Sequence, residues 1–440
     1  MQPTPATLKS RAAAVLVALA FLLVAMPGHA QLRLDITQGV RDAVPIAVVP
    51  FGGQAEGGAN DIAAVVANDL RMSGRFAPLE RRDMVSRPTS GGEIRFEDWR
   101  LLKSDFVVVG RVEPDGAGLA VNFELHNVRT GASLLAQRLP STDRGLRATA
   151  HRIADLVFER LTGIPGAFST RIAYVAVDGK PPAQRYRLVV ADADGYNPRT
   201  VLESREPIMS PAWSPDGQNL AYVSFESKVS AVYVQQLGTG QRSRVSARAG
   251  INGAPAWSPD GRKLALTLSR DGNLDIYTLE LATQTLTRVT SDEAIDTEAE
   301  WSKDGQSLYF TSDRAGNAQV YQVRLDEARR AERVTFTNSY NARPRMSPDG
   351  KQLALVTLDR GGYRIGVMDL ASRNLRVLTN ARQDESPSFA PNGALVIYAT
   401  REGGRGALAF ASSDGAFQQR LSSDQGDVRD PAWQPFTTAR

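Results

Sequence analysis

A short phrase returns along this chain at nearly constant intervals. Pro211-Ala-Trp-Ser-Pro-Asp-Gly217 precedes the apolar run Leu220-Ala-Tyr-Val-Ser224, and Pro255-Ala-Trp-Ser-Pro-Asp-Gly261 precedes Leu264-Ala-Leu-Thr-Leu268. Glu300-Trp-Ser-Lys-Asp-Gly305 precedes Leu308-Tyr-Phe-Thr-Ser312, and weaker copies follow at Pro344–Gly350 and Pro387–Gly393. A half copy, Pro431-Ala-Trp-Gln-Pro435, ends the series. The anchors Trp213, Trp257, Trp301, Met346, Phe389 and Trp433 are spaced by 44, 44, 45, 43 and 44 residues. A constant period of this length, filled with short strand-like runs, predicts a propeller with one four-stranded blade per repeat.

Turn chemistry supports that reading. In Ser-Pro-Asp-Gly, proline presets φ for a type I turn and glycine takes the left-handed position after it, joining two antiparallel strands. A third strand (Val232–Val234 in the first copy) and a fourth (Arg244-Val245) complete each repeat. The anchor aromatics read as wedges between blades rather than as ligand-binding residues. Ahead of Trp213 lie three strands without an anchor strand (from Ile172, Arg187 and Thr200), and Ala432-Trp-Gln434 is an anchor strand with nothing after it. Joining the two remnants predicts six blades in a closed ring, which removes the exposed edges.

Residues 1–30 read as a secretory leader: Lys9 and Arg11, an apolar stretch from Ala12 to Met26, then Gly28-His-Ala30 as a cleavage site. With no cysteine the chain has neither a disulfide nor a lipid-modified cysteine, and no later run is long enough to span a membrane. Removing Lys9 and Arg11 takes the net charge from +4 to +2, too balanced to argue for nucleic acid or an anionic membrane surface. An exported protein is expected.

Residues 31–43 hold the alternating run Gln31-Leu-Arg-Leu-Asp-Ile-Thr37. It reads either as an edge strand of the first domain or as a segment that leaves its own domain to add to a partner's surface. Residues 44–163 alternate strand runs with two helical stripes. The first helix is capped by Asn60 or Asp61 and stopped by Gly74; the second opens at Thr142 or Asp143 and stops at Gly163. This predicts a small α/β domain. Residues 164–167, with Ile164-Pro-Gly166, are expected to be a hinge, and residues 168–440 the propeller.

Catalytic signatures are missing. His126 and His151 have no second histidine or cysteine at ligand spacing, so no metal site is expected. Asp192-Ala-Asp-Gly195 lacks the distal glutamate of a calcium loop and reads as a hairpin turn. No nucleophile elbow or phosphate-binding loop occurs, so neither enzyme activity nor a cofactor is expected. What remains is a surface: the six loops entering the innermost strands, 207–210, 251–254, 296–298, 341–343, 384–386 and 428–430, mix arginine, acids, methionine and small residues. A glycan- or small-molecule-binding propeller would offer convergent aromatics there, and only Tyr340 lies beside these loops. A peptidase-type propeller would add a hydrolase domain.

The leader, the α/β domain, the Pro-Gly hinge and six Trp-Ser-Pro-Asp-Gly repeats, taken in that order, resemble the TolB family, the periplasmic component of the Tol-Pal system. The resemblance spans essentially the whole mature chain. It implies a periplasmic, non-enzymatic scaffold that binds the peptidoglycan-associated lipoprotein Pal and the inner-membrane protein TolA, supporting outer-membrane integrity and constriction at division. It leaves room for further outer-membrane or peptidoglycan-associated partners. It implies a Pal site at the channel mouth: Met209, Asn252, Gly253, Ala254, Thr297, Glu298, Arg343, Arg345, Asp384, Glu385 and Arg429. Ile251 departs from the polar or basic residue expected there. The implied TolA epitope is Leu32, Arg33, Leu34, Asp35, Ile36 and Gly39.

Overall fold

The computed structural model describes residues 32–38, 43–326, 329–423 and 426–437. The predicted leader and Gly39 lie outside them. Among the described residues no helix is long and apolar enough to cross a membrane.

Six antiparallel blades form the propeller. Blade one is built from both ends of the domain, with strand order Asp427–Trp433, Arg171–Asp178, Arg185–Asp192, Arg199–Ser204. Its closing strand pairs Trp433 with Ile172 and Ala432 with Ala173, joining the two remnants as the repeat count requires. Blades two to six follow in chain order, with innermost strands Ile208–Trp213, Asn252–Trp257, Asp296–Trp301, Asn341–Met346 and Asp384–Phe389.

Within a repeat, the turn glycines Gly217, Gly261, Gly305, Gly350 and Gly393 all have φ between +67° and +77°, the left-handed position after a type I turn. The turn serine and aspartate lock it from inside: Ser258 Oγ donates to Asp260 Oδ1 at 2.6 Å and accepts from Lys263 N at 2.9 Å.

The tryptophans are wedges with a polar handle. Trp213 Nε1 donates to Ala432 O at 3.0 Å, Trp257 Nε1 to Ala212 O at 3.1 Å, and Trp301 Nε1 to Ala256 O at 3.1 Å. Each indole thus reaches the carbonyl just before the anchor of the preceding blade. This relay fastens blades one to four and satisfies an N–H that burial would otherwise strand. It cannot continue through Met346 and Phe389, which have no donor.

The α/β domain is one five-stranded sheet, ordered Phe76–Pro78, Val44–Val48, Phe106–Asp115, Gly118–Asn127, Ser133–Ser141. Val44–Val48 pairs in parallel on both sides and the rest is antiparallel. Helix Ile62–Met72 is capped by Asp61, whose Oδ1 accepts from Ala64 N at 3.1 Å. Helix Leu146–Thr162 follows a single turn capped by Thr142 and ends at Gly163 with φ +73°. A short helix, Phe96–Leu101, has too little periodicity to be read from sequence.

One apolar cluster runs from Ile46 and Phe158 through Phe168 to Tyr174, Phe410 and Trp433, so the two domains share a core. The expected hinge is pinned on both sides. A side chain at Gly166 would meet Asp155 Cα at 2.3 Å, the Asp155 carboxylate accepts from Phe168 N at 2.7 Å, and Asn392 Nδ2 donates to Pro165 O at 2.9 Å.

The N-terminal run corrects one expectation. Leu32–Gln38 is a strand, but it joins the propeller rather than the α/β sheet, pairing antiparallel with Gln418–Ser423 at the outer edge of blade six. Leu34 stands opposite Leu421 and Leu32 opposite Ser423. A seven-residue strand needs a partner edge of similar length. Gln418–Ser423 offers six residues, as does Arg199–Ser204 on blade one, whereas the outer strands of blades three, four and five have three each.

Candidate partner-binding site at the channel mouth

All six innermost strands carry the same irregularity. Pairing with the second strand slips between Met209 and Ala212, Gly253 and Ala256, Thr297 and Glu300, Ala342 and Arg345, Glu385 and Ser388, and Arg429 and Ala432. At the first bulged residue, three before each anchor, the backbone is left-handed. Ser210, Ala254, Glu298, Arg343, Ser386 and Asp430 have φ between +46° and +57°. Proline follows in five of the six copies (Pro211, Pro255, Pro344, Pro387, Pro431), as the unpaired side of an edge strand allows. None of the six is glycine, and each left-handed residue costs about 1 kcal/mol. Bulges of this kind re-aim side chains. Here they set six into the channel as one ring.

A second ring lies deeper: Ala212, Ala256, Glu300, Arg345, Ser388 and Ala432. Together the rings line a cavity of about 460 Å³, with the anchors and turn prolines lining its other end. Its chemistry is lopsided. Blades two and three contribute only Ser210, Ala212, Ala254 and Ala256, leaving space, whereas blades four to six and blade one contribute Glu298, Glu300, Arg343, Arg345, Ser386 and Asp430.

The charged half forms a continuous belt. Arg343 Nε bonds Glu298 Oε1 at 2.6 Å, its Nη1 donates to Ser386 Oγ and lies 3.8 Å from Asp430 Oδ1. Ser386 Oγ donates to Asp430 Oδ1 at 2.8 Å, and Asp430 Oδ2 accepts from Ser210 N at 3.2 Å. The belt crosses blades four, five, six, one and two, covering the sector where Met346 and Phe389 interrupt the indole relay. Burial works against charge on Arg343, but the carboxylates of Glu298, Asp430 and Glu385 outweigh it and hold the guanidinium firmly protonated. Deeper in, burial pushes the Glu300 carboxyl up to about 7, against the pull of Arg345 at 3.9 Å.

The rim over the small-residue half and at the entrance to blade four is apolar. Met209, Ile251 and Ile295, at the entrances to three successive blades, are 39%, 51% and 46% exposed. On blade five Tyr340 and the exposed Tyr363 meet edge to face, ring centroids 5.1 Å apart. The site therefore offers an apolar lip beside a charged, half-buried belt.

The residues anticipated from sequence divide into three groups. Ala254, Glu298, Arg343 and Arg345 line the channel. Met209 is on the lip, while Gly253, Thr297, Glu385 and Arg429 are half-buried around it. Asn252 and Asp384, by contrast, are fully buried and present no side chain to a partner. Asn252 Oδ1 accepts from Ser246 Oγ at 2.7 Å and Arg248 N at 2.9 Å, and its Nδ2 donates to Arg248 O at 2.8 Å, so it shapes the loop behind the rim. Ser210, Ser386, Asp430 and Glu300 belong to the site and were not singled out from sequence. Their signal was available as the position three, or for Glu300 one, before the anchor. The proposed N-terminal epitope residues Leu32 to Ile36 lie in the strand on blade six, far round the sheet from the channel.

Comparison with known proteins gives the same architecture. The model of the TolB amino-terminal domain matches residues 32–134, and that of the TolB beta propeller domain matches residues 158–437. The Tol-Pal system protein TolB of Xanthomonas euvesicatoria is 55% identical over 431 residues, covering 97% of this chain and 98% of that protein. Its counterpart in Xanthomonas oryzae is 55% identical over 432 residues, covering 96% and 98%. The crystal structure of TolB from Acinetobacter baumannii superposes with a TM-score of 0.85 at 42% identity, covering 92% of this chain and all of that one.

Proposed function

This chain belongs to the TolB family of Tol-Pal system proteins, and we propose that it is a periplasmic scaffold with two partner sites. The channel mouth takes the lipoprotein Pal, and the mature N-terminal segment is offered to TolA, for outer-membrane integrity and constriction at division. The observation that carries this reading is the lopsided channel. Six left-handed positions aim side chains inward at a cost in backbone strain, a feature that clusters at working sites. An apolar lip beside a desolvated charged belt suits a protein loop with an apolar anchor and one charged or polar tip.

Blade six supplies a route between the two sites. Its innermost strand places Ser386 in the belt, and its outermost edge carries Leu32–Gln38, so both sites lie on one sheet. Docking and release of the terminal strand is the two-state element that Pal at the channel would bias. The linkage is reciprocal: whatever Pal does to the strand, removal of the strand does to Pal affinity.

Calorimetric titration of the mature protein with soluble Pal tests the first site. Exchanging Glu298→Arg and Arg343→Glu keeps an ion pair within the belt but inverts the field at the mouth. We expect affinity to fall at least about tenfold, roughly 1.4 kcal/mol. Unchanged binding by the exchanged protein would place Pal elsewhere. Equal Pal affinity with and without residues 31–42 would remove the linkage.

A further inference from the structure

The packing of the α/β domain on blade one creates a cluster that neither domain has alone. His151, on the helix Leu146–Thr162, faces Asp192, the last residue of the third blade-one strand, and Asp194 in the turn after it. One donor atom from each lies within 4.8 Å of the others. Asp194 is buried and Asp192 half-buried, and they line or adjoin a cleft of about 460 Å³ walled by Asn60, Arg144, Arg147 and Tyr196.

The histidine is the informative member. Its side chain is only 5% exposed, and Nδ1 bonds Asp69 Oδ2 at 2.7 Å. That carboxylate orients the ring and directs Nε2 into the cluster. Nε2 has no hydrogen-bond partner, and the closest carboxylate oxygen, Asp192 Oδ2, is 4.0 Å away. A buried ring nitrogen left unsatisfied calls for an explanation. A carboxylate behind one imidazole nitrogen with the other free is the arrangement of a metal-ligating histidine.

We propose that His151, Asp192 and Asp194 bind a divalent transition metal, zinc by the donor set, at the joint between the α/β domain and the propeller. One imidazole and two carboxylates with a fourth place for water suit zinc, whereas calcium takes six to eight oxygens. Bonds of about 2.0–2.2 Å require donor atoms roughly 3.4 Å apart, so the three draw inward by about 1 Å on binding. Three carboxylates, Asp69, Asp192 and Asp194, converge on one imidazole and Arg147, a donor set that suits a cation.

Arg147 now bonds both ligand carboxylates, with Nε 3.4 Å from Asp192 Oδ2 and Nη2 on Asp194. It has anchors of its own. Its Nη1 donates to Ala59 O at 3.2 Å and its Cζ lies 3.8 Å over the Tyr196 ring, so it stays in place when the carboxylates turn to the ion. The Asp155 carboxylate accepts from Phe168 N and Ser169 N and takes no part in ligation. With ligands from both domains, the ion would stiffen the joint.

The mature full-length chain, stripped with EDTA and exchanged into chelator-free buffer, is titrated with zinc chloride in a calorimeter near neutral pH. One site per chain is expected, with binding unaffected by excess magnesium. Asp192→Asn, at a side chain 24% exposed and tolerant of change, and His151→Gln should each weaken binding more than about tenfold. Asp69→Asn, acting only through the ring, should weaken it about 10- to 100-fold. If His151→Gln does not fold, Asp192→Asn and Asp69→Asn decide the matter. No zinc uptake by the folded wild-type chain, or uptake unchanged by Asp192→Asn, overturns the proposal.

Discussion

Removing the Glu298–Arg343 pair should reveal a coupling that an ordinary surface ion pair lacks. At 2.6 Å, two unit charges in a medium of effective dielectric about 20 attract by about 6 kcal/mol before desolvation is counted. The side chains remain 28% and 22% exposed, so water screens part of this and desolvation offsets more. A charge-assisted hydrogen bond in such a setting retains about 1.5–3 kcal/mol. Arg343→Met should cost about 2–4 kcal/mol, because it leaves Glu298 and Asp430 facing each other without their cation. Glu298→Gln should cost less, about 1–2 kcal/mol, because Arg343 keeps Asp430 and Ser386. The double variant should therefore be less destabilised than the sum by about 2 kcal/mol. Urea unfolding of the four proteins measures this as midpoint shifts at constant slope. A coupling under about 0.5 kcal/mol, or one abolished by high salt, would mean that the pair is solvated like a surface bridge. The belt would then not be what joins blades four to six.

Two further outcomes follow from the same geometry. Glu300 has a folded-state pKa near 7 against an ordinary 4.5, so the folded state holds its proton longer than the unfolded state does. Its contribution is fully favourable below 4.5 and is lost as pH rises from 4.5 to about 7. The shift corresponds to about 3 kcal/mol at most, reduced to about 1–2 because 24% of the side chain meets water. Glu300→Gln should therefore flatten the pH dependence of unfolding over that window and stabilise the protein at its alkaline end. An unchanged slope would place the titration elsewhere. Trp433→Ala should cost about 3–5 kcal/mol in denaturant unfolding, since it empties a buried wedge and leaves Thr170 Oγ1 without the indole donor now 2.8 Å away. A loss below about 1 kcal/mol would mean that the last strand does not close the ring.

Legibility in the sequence followed how local the determining physics was. Ser-Pro-Asp-Gly fixes its own turn within four residues, and the anchor repeats because every blade needs one wedge, so blade number and even the closure by Trp433 could be read in advance. The rim was read only at the level of loops. Asn252 and Asp384 have the composition of contact residues, yet both are wholly buried. In an edge strand, facing is decided by a bulge whose register depends on the neighbouring strand. The left-handed ring was present as a position before proline, but nothing in Ser210, Ala254 or Arg343 as residue types announces positive φ. His151 and Asp192 are separated by a domain boundary, and their meeting is a product of packing. No spacing rule for ligands on one element can find such a pair. The N-terminal strand failed for a related reason: alternation shows that a segment wants an edge, not which edge.

The two halves of the ring are held by different kinds of bond, and this bears on how a bound partner can be sensed. Blades one to four are joined by indole N–H groups donating to backbone carbonyls. Blades four to six and one are joined through Arg343, Ser386 and Asp430, whose polar atoms line the channel itself. A partner placing a cation near Asp430 or an anion near Arg343 must compete with that belt, so its binding energy is exchanged directly against contacts between blades five, six and one. Blade six is the blade whose outer edge holds Leu32–Gln38. On the proposed function, replacing Met346 and Phe389 by tryptophan, which would extend the indole relay round the ring, should leave Pal binding in place but weaken its effect on release of the terminal strand. The interruption of the relay is then as much a functional feature as the charges that fill it.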